Sequence, residues 1–207
     1  MRAKFSRVPL SEANVRVFGF ERVVVAYAGM GAARVQIACE AAIARGAVDK
    51  FVSVGFCGAL NARAAAGTLH IPAAVIDSRS GQRISTSDPR GQGTLMTVER
   101  VLGELEKKNV ASGSAADWVD MEAAHVARFA NDHHAGFTCF KAVSDAFDDE
   151  LPDLNRFSTA DGQFETARFL RWVAVRPWWW RAVGRMGRHS ARAAQALADA
   201  LEAEFLR

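Results

Sequence analysis

Cysteine is scarce in this chain of 207 residues, and the three present (Cys39, Cys57, Cys139) each lie in an apolar or Ala-rich run without metal-ligand spacing. That argues against a disulfide framework or a thiolate metal centre and leaves buried, reduced thiols. Long hydrophobic runs are absent too: none approaches the ~20 residues that a membrane-spanning helix needs. The N-terminal stretch lacks the apolar core of a signal peptide, so the expected location is cytoplasmic. A strong charge excess is missing; the formal net charge is +3, too small to point to nucleic acid. No internal repeat or domain linker is visible. The full dinucleotide fingerprint is absent as well, because Arg34 stands where G-x-G-x-x-G would need its third glycine. His133-His134 is not a metal pair, since adjacent residues on a helix point different ways. No metal and no cofactor are expected.

What is present is an ordinary globular composition, half hydrophobic and a quarter charged. This length suits one domain with a single sizeable core. We expect one domain over residues 1–207, with its core at 22–150 and a helical part at 158–207. Residues 22–28 (RVVVAYA) are β-branched and continuous, as a buried strand should be. Gly29-Met30-Gly31 punctuates them, and residues 32–45 have helical character closed by Gly46. Residues 50–54 form the next expected strand, turned by Gly55-Phe56-Cys57-Gly58. Residues 69–77 read as extended, 78–93 as a loop, 94–98 as a strand and 101–108 as a helix. A Pro-marked loop at 148–158 and two or three helices follow; the last, at 190–205, repeats Ala and Leu at helical spacing. Residues 1–19 carry no clear signal.

The chain is organised around residues 117–149. An apolar run ends in Met121-Glu122, an Ala-rich helix covers 123–133, and a second run at 137–143 ends in Ser144-Asp145. Two strand-like runs flanking a helix read as a βαβ unit. Ligands in open α/β sheets bind beyond the carboxyl ends of the strands, so Glu122 and Asp145 are expected to face one crevice.

Asp120-Met121-Glu122-Ala123-Ala124 followed by Ala142-Val143-Ser144-Asp145 resembles the paired signature of the purine nucleoside phosphorylase and nucleosidase superfamily, which includes the methylthioadenosine/S-adenosylhomocysteine nucleosidases. Three further stretches fit in order: Tyr27-Ala28-Gly29-Met30-Gly31, residues 53–60 (SVGFCGAL) and residues 94–98 (TLMTV). The resemblance spans roughly residues 23–148. It is closest in look to the hopanoid-associated phosphorylases, which act on a lipid carrying an adenosine head. It implies a three-layer αβα fold with a central mixed, twisted sheet, and cleavage of a purine N-glycosidic bond.

That chemistry needs a protonated leaving base, a stabilised oxocarbenium-like ribose and a nucleophile at C1′. The resemblance assigns Asp145, next to Ser144, as the acid at purine N7; a positioned general acid is worth about 10²–10⁴ in rate. Glu122 would accept from the ribose hydroxyls, and Met121 would pack on the sugar. Gly29 and Gly31 form one glycine turn and Phe56 and Gly58 lie in the other, under the ribose and the nucleophile. Val101 and Leu102 align with residues that wall the base, and Lys141 matches a basic position of relatives. Taken singly, Glu122 also reads as a helix N-terminal carboxylate and Asp145 as a turn residue. Phosphate-using members carry Arg and Ser at the positions of Ser53 and Phe56 respectively. This chain carries neither, which favours hydrolysis over phosphorolysis.

The resemblance also implies an additional opening strand followed by a water-activating Glu. Residues 1–19 are too short and polar for that strand, and the only acids near, Glu12 and Glu21, read as solvated. Three explanations stand: a start further upstream, a catalytically depleted nucleoside- or lipid-binding protein, or a substituting group from a partner subunit or the C-terminal region. A dimer could cover the surface left open. Finally, residues 168–192 hold seven arginines, no acid and four of the five tryptophans. Trp178, Trp179 and Trp180 with flanking arginines suit a membrane–water boundary; a lid, a helix-packing core or a dimer interface would use the same residues.

Overall fold

The computed structural model describes residues 6–8, 15–159 and 162–205. Two sheets carry the chain. β1 (Ser6–Val8), β2 (Arg16–Phe20) and β3 (Val23–Tyr27) form an antiparallel three-stranded sheet in that order. The second sheet has seven strands: β4 (Lys50–Ala59), β5 (Leu69–His70), β6 (Ala74–Asp77), β7 (Arg83–Ser85), β8 (Thr94–Thr97), β9 (Trp118–Asp120) and β10 (Gly136–Asp145). Their spatial order is β5-β10-β4-β9-β8-β6-β7. It is a mixed sheet: β10 runs parallel to β4, β8 is parallel to both β6 and β9, and β9 is antiparallel to β4.

Helices α1 (Ala32–Ile43) and α3 (Ala123–Asp132) cover one face, and α5 (Trp180–Phe205) covers the other. α2 (Glu104–Gly113) and α4 (Thr166–Ala174) complete the set. This is the expected three-layer α/β architecture. Alternation along β10 builds it: Phe137, Cys139 and Val143 enter the core with Ala123, Ala124, Ala127 and Ala130 of α3, while Phe140 and Ala142 pack on Ala193 and Leu197 of α5. A strand clothed on both faces must read as one apolar run, and β10 does. The small alanines of α3 let the helix approach the sheet closely. All three thiols are buried and free. Burial lifts Cys139 to about 12, and burial helped by the charge of Glu40 lifts Cys39 to about 11, so both stay as inert thiols.

Several boundaries differ from the sequence expectations. Residues 16–20, left unassigned, pair with β3 across a tight turn at Glu21, whose φ is 47°; Val17 is the residue of β2 that is buried. β3 forms where expected but is not clothed: Val25 is 45% and Tyr27 56% exposed, and among the described residues β3 pairs with β2 alone. The Gly55–Gly58 stretch is not a turn; β4 runs through it to Ala59. The 69–77 segment is broken at Pro72 into β5 and β6, and the 78–93 loop contains β7. The helix expected at 101–108 lies at 104–113, and the last helix begins ten residues early, at Trp180. β9, α3 and β10 follow each other as predicted, yet β9 and β10 flank β4 in opposite directions rather than as a parallel pair.

Candidate active site

Gly58 is where the two carboxylate-bearing strands meet, since it is paired with both Asp145 of β10 and Val119 of β9. A Cβ there would stand 2.8 Å from Asp145 Oδ2, 3.2 Å from Val119 Cγ1 and 3.3 Å from Lys107 Cε. Glycine is required here by close approach, not by a turn. β10 shifts register between Val143 and Asp145, a bulge that re-aims the strand tip.

Asp145 is held from both sides. Ser144 Oγ donates to its Oδ1 at 2.7 Å, and Lys107 Nζ of α2 pairs with its Oδ2. The same ammonium donates to the Ala146 carbonyl at 2.9 Å. Lys107 is 1% exposed at its side chain and Asp145 15%. The segment that follows is fastened to α5. Asp149 accepts from Ala146 N–H at 2.8 Å and from Arg185 Nε at 2.8 Å, and its Oδ2 meets His189 Nδ1 at 3.2 Å. The arrangement is a fixed, largely buried carboxylate with a buried cation beside it.

Glu122 occupies the position before the first turn of α3, and its Oε1 accepts from Gly31 N–H at 3.2 Å. Gly31, with φ of 88°, opens α1, so this bond joins the β9–α3 and β3–α1 junctions. Behind Glu122 lies a second buried ion pair: Lys141 Nζ stands 2.8 Å from Asp120 Oδ2, with side chains 1% and 0% exposed. Asp120 also accepts from Ala123 N–H at 2.9 Å and Thr97 Oγ1 at 2.7 Å, and Ala124 N–H donates to Thr97 Oγ1 at 2.9 Å. The first turn of α3 is thereby capped by a carboxylate from its own approach strand. Burial raises the Glu122 pKa above the usual carboxylate range, the charge of Asp120 adds to that, and Lys141 opposes it. For Lys141 burial acts against the charge, but Asp120 and Glu122 outweigh it and hold its pKa above the ordinary value.

The two clusters take opposite faces of β4. A Cβ on Gly55 would face Lys141 Nζ at 3.7 Å, on the side of Cys57 and the α1–α3 core, whereas one on Gly58 would face Asp145 and Lys107. Three residues separate those positions, about 10 Å along a strand. A ligand that engages both carboxylates therefore has to lie across the carboxyl end of β4 rather than in a crevice between parallel strand tips.

A cleft of about 530 Å³ is walled by Met30, Gly31, Arg34, Ile37, Met121 and Asn155 among others; neither Glu122 nor Asp145 lines it. Of the residues singled out in the sequence, Gly31 and Met121 line it. Val101 touches it indirectly, exchanging backbone hydrogen bonds with the Asn155 side chain at 3.0 and 2.9 Å. Leu102 packs with Leu60, Val98 and Val119 in a small apolar cluster. Gly29 is pressed against Gly162, whose carbonyl would lie 2.9 Å from an added Cβ. Phe56, on the opposite face of β4 from Cys57, is 44% exposed. Glu21 is exposed at the β2–β3 turn, and Glu12 lies outside the described residues. Lys107, which the sequence did not single out, sits in ELEKKN, a charged helical run that reads as a solvated face.

Comparison with known proteins fits this geometry. Residues 11–90 match the family model of the phosphorylase superfamily. Those 80 residues are similar to that superfamily. No curated protein matches it by sequence. Solved structures do match in fold. The 5′-methylthioadenosine/S-adenosylhomocysteine nucleosidase of Helicobacter pylori, bound to butyl-thio-DADMe-Immucillin-A, superposes with a TM-score of 0.64 at 17% identity, covering 96% of this chain and 90% of that one. The futalosine hydrolase of H. pylori strain 26695 gives 0.62 at 17% identity, covering 96% and 89%. The nucleosidase of Colwellia psychrerythraea in complex with adenine gives 0.59 at 18%, covering 71% and 76%. At these identities the likeness is one of fold.

Proposed function

We propose that the protein cleaves the N-glycosidic bond of a purine nucleoside, with Asp145 at the base and Glu122 at the ribose. The observation that carries the reading is the Asp145 carboxylate, fixed at a strand tip by Ser144 and a buried lysine, with 15% of its side chain exposed. The superfamily match and the nucleosidase folds support it. Water is the nucleophile we favour. The N–H groups of Met30 and Gly31 are taken by the Gly162 carbonyl and Glu122, so the glycine turn offers no free cradle for phosphate there. The apolar walls of the cleft, Met30, Ala33, Ile37 and Met121, support an adenosine whose 5′ substituent is bulky and apolar, in keeping with a hopanoid-like lipid. The experiment is adenine release from adenosine and a 5′-alkylthio analogue, with and without phosphate. Release without phosphate is expected. Release that requires phosphate replaces hydrolysis by phosphorolysis, and analogue binding without release leaves a nucleoside-binding protein, the reading that the exposed turn position of Glu21 favours.

Two surfaces extend the proposal. The uncovered apolar strand β3 suits a homodimer contact, which light scattering would report as twice the 22.4 kDa chain mass; a monomer at that measurement removes it. At the elbow between α4 and α5, Val175, Trp178 and Trp180 are exposed, and Arg171, Arg181 and Arg188 stand beside them without an acidic partner among the described residues. That combination suits an anionic lipid surface, and a membrane-borne 5′ group would explain it. Among the described residues no helix is long and apolar enough to cross a membrane. Wild type is expected to float with phosphatidylglycerol liposomes, and a Trp178→Ala/Trp180→Ala variant to stay behind; equal partitioning ends the membrane contact.

A further inference from the structure

A fully buried lysine needs a reason, because an ammonium taken out of water is costly unless its partner is well placed. Lys107 has one carboxylate, Asp145, and one carbonyl, Ala146. Its Cε lies against β4, 3.3 Å from where a Cβ at position 58 would stand, beside the Asp145 Oδ2 that would stand at 2.8 Å. Removing the pair altogether and packing the space with apolar side chains would serve stability as well or better. The geometry also takes an inventory of protons. Two groups donate to the Asp145 carboxylate, the Ser144 hydroxyl and the Lys107 ammonium. A serine hydroxyl is far too weak an acid to part with its proton, whereas an ammonium can do so.

We propose that Lys107 is the proton reservoir of the site, a positioning residue that acts on the leaving base through Asp145. This rests on the glycosidic-cleavage reading above. As the C1′–N9 bond breaks, its electron pair passes to the purine, whose ring nitrogen becomes basic. An Nζ–H bond of Lys107 breaks, a ring N–H bond forms by way of the Asp145 carboxyl group, and water attaches at C1′. The products are neutral purine, the free sugar, an Asp145 carboxylate and a neutral Lys107 amine, which regains the proton that the attacking water loses. No other co-reactant is required. Lys107 never touches the substrate; the carboxylate between them keeps the proton aimed at one atom and the ammonium out of solvent.

The discriminating measurement compares two ribosides. Adenosine needs its base protonated to leave, whereas p-nitrophenyl β-D-riboside expels a stable phenolate unaided. Lys107→Met is expected to lower kcat on adenosine by about 10²-fold, the lower range for loss of a positioned acid. KM should stay within several-fold, and turnover of the nitrophenyl riboside should be nearly unchanged. Lys107→Arg keeps the charge and a hydrogen bond to Asp145 but cannot release a proton at working pH, so it is expected to be as slow as the methionine variant on adenosine. Should the methionine variant not fold, the arginine variant decides alone. An equal loss on both ribosides, or full rescue of adenosine turnover by arginine, assigns Lys107 a purely structural role and overturns the relay. A wild type that releases the leaving group of neither riboside removes the cleavage reading and the relay with it; a wild type that turns over both while the variants match it removes only the relay.

Discussion

Replacing Lys141 by methionine is expected to lower the unfolding free energy by about 3–5 kcal/mol, the range for a buried ion pair stripped of one partner. The lysine and Asp120 are both essentially inaccessible, at 1% and 0% side-chain exposure, and Glu122 stands near enough to bear on the lysine's charge. With the ammonium gone, two carboxyl groups share an enclosed space with no cation. The sign of the pH dependence follows. Glu122 already has a raised pKa, so its neutral form is favoured in the fold; its contribution to stability is full below the unfolded value of about 4.3 and is lost as pH rises through the folded value. Removing Lys141 takes away the one influence that pulls that value down, apart from the hydrogen bonds it accepts. The damage done by Lys141→Met should therefore shrink as pH falls from 8 toward 5. Urea unfolding across that range reads the effect. Adding Asp120→Asn should recover much of the loss, since the asparagine still accepts a hydrogen bond at the start of α3 while carrying no charge. A single variant that unfolds within about 0.5 kcal/mol of wild type at pH 8, the ordinary size of a surface change, would show that the cluster is not the electrostatic unit described.

How much of this was legible in the sequence depends on whether a residue's task is local. β10 is legible because a strand buried on both faces has to be apolar throughout. The Ala-rich α3 is legible for a related reason, its 3.6-residue period with alanines on the packed face. The Gly55–Gly58 stretch misleads, because glycine signals both a turn and a close approach. Here the second applies: the neighbour that excludes a side chain at Gly58 is the Asp145 carboxylate, 87 residues away in sequence, at 2.8 Å from where a Cβ would be. β2 is obscured by Arg16, by Gly19 and by a hairpin turn lacking the Asn-Gly or Asp-Gly signal. The last helix starts earlier than expected because Gly184 and Gly187 resemble breaks, yet a 26-residue helix packed on β10 tolerates both.

The candidate site shows the same division. Asp145 and Glu122 are conspicuous because each terminates an apolar run. Their two lysines are not. Lys141 lies within a strand, where its parity with Cys139 and Val143 decides that it faces the α3 side, but a sequence does not say which parity is the core one when both are apolar. Lys107 follows Glu106 and precedes Lys108 in a helix whose other charges pair at the surface, as Arg100 with Glu106 and Lys108 with Glu104 do. Only the tertiary approach of α2 to the tip of β10 separates it from its neighbours.

Asp145→Asn is expected to have the largest effect on turnover, a fall of about 10²–10⁴ in the rate of adenine release. The amide is nearly isosteric; its oxygen can still accept from Lys107 or Ser144, but it cannot carry a proton to the base. Because Lys107 is left without a counterion behind it, the same change should also destabilise the fold, so rate and stability have to be read apart. Asp145→Asn/Lys107→Met does this. Removing both charges is expected to restore the unfolding midpoint toward wild type while leaving adenine release as slow as in the single variant. Glu122→Gln supplies the contrast at the sugar. It keeps an acceptor for Gly31 N–H, relieves a carboxyl group already disposed toward neutrality, and should weaken nucleoside binding more than it slows a bound substrate. If a variant neutralised at both 122 and 145 still liberates adenine at the wild-type rate, neither carboxylate takes part in the chemistry, and the reaction has to be sought along the cleft walled by Met30 and Met121 instead.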